Sequence, residues 1–327
     1  MAQIYGIDLA SEKFDVSFMD KNGKIIHKVI KNTRPHIEKF LDTLPQDCRL
    51  VAEHTGVYGD MLLMLADMRS IAVSYVSGYE IKHSMGLSRG KSDSMDAARI
   101  REYGERHPDK LPETHFPSES LYNLRELYST RRLLVEQRKQ LATMLEGDKQ
   151  RPMSCDKAGS VKSETLNYLD TKIREVEKAM DDIIDNDPDL SRNSKIIQSI
   201  PGMGPVTATQ LIIKTGNFKR IQTAKKCATL AGIAPFPNST GKSDKGNHVS
   251  RMGDRELKCL LFLCARVASG CMAGMRLYKM KKYEIEKKHY FLVINNIANK
   301  LIKLVYALIY KGEMFNPAFV RLDPRKG

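Results

Sequence analysis

Residues 3–31, QIYGIDLASEKFDVSFMDKNGKIIHKVIK, hold three apolar runs separated by polar breaks. The first, residues 3–10, reads as a short buried strand. The second, KFDVSFM at 13–19, alternates apolar and polar positions and reads as another. The third, KIIHKVI at 24–30, follows the turn Lys21-Asn22-Gly23 and completes a run of three strands. Downstream, Asn32 or Thr33 can cap a helix running to Leu44. RLVAE at 49–53 reads as a fourth strand, broken at Thr55-Gly56. A helix over 57–68 and a fifth strand, IAVSYVS at 71–77, come next, then a long polar helix over 92–105. Three consecutive strands followed by alternating helix and strand is a ribonuclease-H-like order within the α/β class.

The chain has 327 residues, enough for about two domains. Its 53 Lys and Arg against 39 Asp and Glu give a net charge of +14. Such a surplus favours a polyanionic partner, most often nucleic acid. A hydrophobic share of 42% excludes a wholly disordered chain. The sequence reads without a run of about 18 apolar residues, so no membrane partner is expected. The N-terminus meets acidic residues at once and lacks a signal-peptide pattern. Six cysteines without CxxC spacing read as reduced thiols, and a cytoplasmic location is expected.

Residues 106–120, with Pro108, Pro112 and Pro117, read as a linker, and Ser118 can cap the next helix. Leu127, Leu134 and Leu141 recur every seven residues, and GDKQRPMSCDKAGS at 147–160 breaks the helix they define. Leu166, Leu169, Ile173, Val176, Met180 and Ile183 then step by three and four, as a coiled-coil seam does. An ordinary amphipathic helix packed in its own domain gives the same spacing. Asn186-Asp187-Pro188-Asp189 reads as its end. In KIIQSIPGMGPVTATQLIIKTG, residues 195–216, two helices flank a tight turn containing Gly202 and Gly204. That resembles a helix-hairpin-helix, whose glycines let backbone N–H groups reach a phosphate. Residues 231–258 read as a Gly-, Pro- and Ser-rich loop that turns basic through Lys242, Lys245, Arg251, Arg255 and Lys258, with a helix from about Asp254. Helices rich in Tyr and Lys run to about Lys311, and 312–327 reads as a tail.

Asp8 closes the apolar run Ile4-Tyr5-Gly6-Ile7, and Glu53 closes Leu50-Val51-Ala52. Carboxylates at strand ends lie where open α/β sheets bind ligands. Asp93 and Asp96, three apart on a helix, face one way. Four such acids suit Mg²⁺, and a two-ion site stabilises both oxygens of a phosphoryl transfer. Asp15, Asp20 and Asp60 read as solvated charge. Ser239-Thr240-Gly241-Lys242-Ser243 lacks P-loop spacing; its serine needs a base, metal or cationic surround to act as a nucleophile. His248 is a candidate base or phosphate contact.

Gly6-Ile7-Asp8, Glu53-His54-Thr55-Gly56, Lys91-Ser92-Asp93-Ser94-Met95-Asp96-Ala97, Ser199-Ile200-Pro201-Gly202-Met203-Gly204 and Ala231-Gly232-Ile233-Ala234-Pro235 follow one another along the chain. This ordered set resembles the insertion sequence 110 family of DEDD transposases, which includes the pilin-inversion recombinases. The resemblance implies a RuvC-like, ribonuclease-H-fold domain over 1–110, a coiled-coil dimerisation hairpin over 118–186, and a mainly α transposase domain over 195–320. It implies Asp8, Glu53, Asp93 and Asp96 as ligands of Mg²⁺ or Mn²⁺, and a serine that becomes covalently linked to DNA. The family pattern places that serine directly before Gly. Here Ser239-Thr240-Gly241 intervenes, so Ser239 is the first candidate, Thr240 the second and Ser243 a distant third. Lys91, Gly202, Gly204, Lys242, Lys245, Arg251 and Arg255 are the candidate nucleic-acid contacts. The implied partners are double-stranded DNA, a structured bridge RNA from the element itself, and further copies of the chain as dimer or tetramer. The rival readings are a junction-resolving nuclease that uses water, and a non-catalytic nucleic-acid-binding scaffold.

Overall fold

The computed structural model describes residues 2–318 other than 55, 85–91, 154, 241–242 and 251; for 237–240 and 243–248 it describes the backbone alone. The chain forms two compact units, Met1–Pro117 and Ser118–Gly327.

The first unit is built on a five-stranded sheet of β1 (Gln3–Leu9), β2 (Lys13–Met19), β3 (Ile25–Lys31), β4 (Cys48–Glu53) and β5 (Ala72–Val76). Their order is β3-β2-β1-β4-β5. The first three strands form an antiparallel meander, while β4 runs parallel to β1 and β5 parallel to β4. The mixed sheet has the ribonuclease-H-like order read from the sequence. Helix α1 (Arg34–Leu41) starts at Thr33 with Pro35 in its first turn, which suits proline because no N–H is needed there. Together with α2 (Asp60–Asp67), it covers one face of the sheet, and Ile7, Phe14, Leu50, Ile37 and Leu62 are buried between them. On the other face a second cluster joins Val51, Val76, Ile100 and Tyr103. It includes Ile81 of the short α3 (Gly78–Ser84), a helix absent from the sequence reading, and residues of α4 (Asp93–Arg106). Residues 111–116, read as linker, lie against this unit. Thr114 N–H donates to Val73 O at 2.9 Å and Phe116 packs on the core.

The second unit opens with two long helices, α5 (Glu119–Asp148) and α6 (Asp156–Asn186), lying along each other. Ser118 caps α5, accepting from Leu121 N–H. Arg131–Glu177, Arg138–Asp170 and Lys162–Asp148 tie the pair together. Asp187-Pro188 ends α6 but also starts α7 (Pro188–Gln198): Asp187 accepts from the N–H groups of Asp189 and Leu190, and Pro188 occupies the first turn. Helices α8 (Pro205–Thr215), α9 (Ala224–Leu230), α10 (Arg255–Cys271), α11 (Ala273–Lys279) and α12 (Tyr290–Lys311) complete the unit. Its core gathers Leu124, Ile197, Leu211, Leu261, Ile297 and Leu301. Although α12 has the length and hydropathy to cross a membrane, Val293, Ile297, Leu301 and Val305 of it are buried in this core.

The basic segment around Ser239 departs from the sequence reading. It is a two-stranded antiparallel ribbon of β6 (Pro235–Thr240) and β7 (Ser243–Val249), where a flexible loop was expected. Proline cannot donate to a ladder, so Pro235 and Pro237 argue against a central strand. In a ribbon of two strands every outer edge is free of that demand.

Candidate active site

Register places the acids. In β1 and β2, Asp8 stands directly opposite Asp15. In β1 and β4, Ile7 pairs with Ala52, so Asp8 and Glu53 are the next residues of two neighbouring parallel strands. Gly6 lets α4 lie against β1, since a Cβ there would come within 2.3 Å of Ala97 O and Arg101 N. Because α4 crosses β1 at this point, its first turn, with Asp93 and Asp96, lies towards the Asp8 end of the strand. Ser92 caps that turn by accepting from Met95 N–H. Glu53 is confined from the far side: a Cβ on Gly78 would stand 2.0 Å from its Oε1.

The electrostatics record this crowding. Burial pushes the Asp8 carboxyl up to about 6, and the nearby charges of Asp96, Asp93, Glu53 and Asp15 add to the rise. Two cations of the chain answer part of the charge. Lys13 Nζ donates to Asp93 Oδ2 at 3.0 Å and to Asp15 Oδ2 at 3.4 Å. Arg99 donates to Asp96 Oδ1 at 2.9 Å. These contacts, that to Asp93 first, hold the Lys13 ammonium above its usual value. Among the described residues no three potential ligands stand at metal-holding geometry. The donor set nonetheless fits a hard divalent cation: it is all carboxylate, comes from three elements, and leaves Asp8 under repulsion that such an ion relieves.

Two residues of this site escaped the sequence reading. Asp15, where the sequence predicts solvated charge, is only 8% exposed and faces Asp8. Lys13 bridges it to Asp93. Counting register back from the tight connection after β1 pairs residue 8 with residue 15 and finds Asp15, whereas Lys13 shows itself only through its side-chain contacts.

The second unit holds the other candidates. Ser239 pairs with Asp244 and Thr240 with Ser243, and the register shifts between Pro237 and Ser239, a local irregularity of the kind that re-aims a strand. His248 stands opposite Phe236. The root of this ribbon is fixed by backbone contact: a Cβ on Gly253 would meet Gly232 Cα and N at 2.3 Å, and Gly232 has φ +62°. Lys258 Nζ donates to Gly232 O and Asn295 Nδ2 to Ile233 O, each at 3.0 Å. Lys245 lies in β7, and Arg255 is exposed at the start of α10. Lys91, Lys242 and Arg251 lie outside the described residues. Gly202, at φ +92°, packs against α10, where a Cβ would meet Cys264 O at 2.9 Å. Close packing therefore accounts for this glycine. Gly204 precedes α8 with open space around it.

A sheet of this order with carboxylates at its strand ends, followed by a helical unit, fits a DNA transposase or recombinase, an enzyme that cuts and rejoins DNA strands. Residues 5–147 match the DEDD transposase family of IS110 type, and residues 194–280 match the transposase IS116/IS110/IS902 family. The chain belongs to the IS110 family of transposases. It is similar to the pilin gene-inverting protein of Moraxella lacunata, 26% identical over 97% of this chain and 98% of that protein. The pilin gene-inverting protein of Moraxella bovis gives the same figures. The transposase for insertion sequence element IS1328 of Yersinia enterocolitica is 23% identical over 96% of this chain and 98% of its own length.

Proposed function

We propose that this chain is a metal-dependent recombinase that excises and inserts its own mobile element through a covalent serine–DNA link. The observation that carries the reading is the placement of Asp8 and Glu53 at the ends of neighbouring parallel strands with the first turn of α4 beside them, so that Glu53, Asp93 and Asp96 all act on the Asp8 carboxyl. Asp8, Glu53, Asp93 and Asp96 would hold Mg²⁺ or Mn²⁺, which would neutralise the charge that develops on a phosphate under attack. The chain's own residues do the rest. Asp15 adds to the field at Asp8, and Lys13 and Arg99 hold two of the acids near the sheet end.

Ser239 is the proposed nucleophile, with Thr240 second. Its Oγ gives up a proton and forms a bond to phosphorus. The bond from phosphorus to one sugar oxygen breaks, and that oxygen takes a proton. A second strand end then attacks the phosphoserine and frees the serine. One phosphodiester replaces another, so no ATP is consumed. Water is the poorer fit as nucleophile, because it leaves the ribbon of β6 and β7 without a task.

The basic balance and the family resemblance support duplex DNA and a structured bridge RNA as partners, with base pairing in the RNA reading sequence. Lys242, Lys245, Arg251 and Arg255 would hold phosphates. The resemblance also supports self-association through α5 and α6 as a coiled coil, and a helix-hairpin-helix role for the turn between α7 and α8. The domain division over 1–110, 118–186 and 195–320 is part of the same reading.

Asp8→Asn tests it. The variant should bind DNA as the wild type does and lose strand cleavage in Mg²⁺ by at least about 100-fold, the loss of a step worth several kcal/mol. Full cleavage by Asp8→Asn would remove the acidic site from the chemistry.

A further inference from the structure

We propose that the surface formed by α11, the π-helical turn after it and the start of α12 binds an unpaired DNA strand. The inference rests on the recombinase class alone, and not on the identity of the nucleophile or the metal.

Residues 276–289 read RLYKMKKYEIEKKH, six Lys or Arg against two Glu. Lys282 pairs with Glu286 at 2.7 Å; among the described residues no carboxylate lies within ion-pair distance of Arg276, Lys279, Lys281, Lys287 or Lys288. Aromatic rings are interleaved with this charge. Tyr283 meets Tyr290 edge to face at 5.6 Å, and Tyr290 meets Phe291 in the same way at 5.6 Å. Phe291 is 61% exposed and Tyr283 42%. Lys300 Nζ sits 4.3 Å over the Tyr278 ring. Beside these rings runs an open groove lined by Leu263, Arg266 and Val267 of α10 with Lys279 and Tyr290.

Exposed aromatic faces among cations are what a single strand requires. Each base offers a π-face for stacking, and each linkage offers a phosphate for Lys or Arg. A duplex hides its base faces and has no use for the rings. A bilayer would be met by an uninterrupted apolar face, whereas here cations fall between the rings. The turn Met280–Ile285 is π-helical, a form that is rare and recurs at functional sites. The occupant follows from the enzyme class: strand exchange leaves each DNA strand unpaired between cutting and rejoining.

The test uses the full-length protein in EDTA, with fluorescence anisotropy of labelled oligothymidylate of about 15 nucleotides. Oligouridylate of equal length and a mixed-sequence duplex are measured alongside. Tyr283→Ala/Phe291→Ala should weaken oligothymidylate binding about tenfold and leave its salt dependence and duplex binding unchanged. Lys287→Ala/Lys288→Ala should reduce the slope of log affinity against log salt by about 1.4. All four side chains are exposed, and the lysine pair carries the test if the aromatic variant melts early. Wild-type affinity for oligothymidylate in both variants would overturn the proposal. Tighter binding of oligouridylate, lost in the aromatic variant, would assign the surface to RNA instead. Conversion of an oligomer to a monomer by the aromatic variant would make it a self-association face. Failure of Asp8→Asn to stop cleavage would leave this inference untouched, because no carboxylate or metal takes part in it.

Discussion

Asp8 is where charge and burial conflict most in the first unit. With its carboxyl raised to about 6 from an ordinary value of 3.8, the folded chain keeps a proton that the unfolded chain releases. The folded state therefore binds more protons between those values. Stability falls as pH rises through that window, and the full penalty applies above about pH 6. Asp8→Asn removes the charge at nearly constant shape. In EDTA its melting temperature should exceed that of wild type at about pH 8, and the difference should close by about pH 4. Mg²⁺ should raise the melting temperature of wild type at the higher pH and leave Asp8→Asn unmoved. Coincident melting curves across the range, with and without Mg²⁺, would show that Asp8 feels neither its neighbours nor an ion. Asp8 and Glu53 were legible in the sequence because each interrupts an apolar run, and a charge there needs a reason. Asp15 was not, because it sits in an alternating strand where the polar positions are expected to face water. Only its pairing opposite Asp8 makes it part of the site.

At the scale of elements, two close backbone contacts place the candidate groups. Gly6 sets the seat of α4 and thereby of Asp93 and Asp96. Gly6→Ala forces a methyl into Ala97 O and should cost roughly 1–3 kcal/mol in denaturant unfolding, together with a larger fractional loss of cleavage than of DNA binding. Unchanged stability would mean that α4 is not held where the structure places it. Gly253 sets the root of the β6–β7 ribbon. Gly253→Ala meets Gly232 and should slow the covalent step while α10 and α12 keep their packing, which circular dichroism checks. Wild-type adduct formation in this variant would separate the ribbon root from the chemistry.

The five strands were legible from apolar runs. The ribbon was not, because Pro, Gly and Ser dominate it and no core face marks its period. The start of α7 was missed because its buried positions include Ser191, Asn193 and Ser194, so no apolar stripe shows. Their burial is made tolerable by contacts such as Asn193 Nδ2 donating to Asn217 Oδ1 at 2.8 Å. Asp187-Pro188 also carries two meanings, a stop for one helix and the cap of the next.

At the scale of the whole molecule, a hairpin of two helices cannot enclose its own seam. Leu124, Leu169, Ile173 and Met180 are buried, yet towards the far end Leu134, Leu141, Leu145 and Leu166 are only half-buried. Leu133 and Tyr168 are 55% and 60% exposed. The proposed self-association through α5 and α6 would cover such a seam with a second copy. Leu133→Glu/Tyr168→Glu should lower the mass measured by light scattering towards that of one chain; an unchanged mass would place self-association elsewhere. The central claim, that the four acids of β1, β4 and α4 and Ser239 of the ribbon serve one strand transfer, is tested most directly by trapping the protein on its DNA. Full-length protein is mixed with RNA transcribed from its own locus, Mg²⁺ and DNA carrying joined element ends, then run on a denaturing gel. The account predicts a covalent protein–DNA adduct in wild type and Thr240→Ala, and none in Ser239→Ala or Asp8→Asn. Cleaved DNA without an adduct, or an adduct that survives Ser239→Ala, would contradict it.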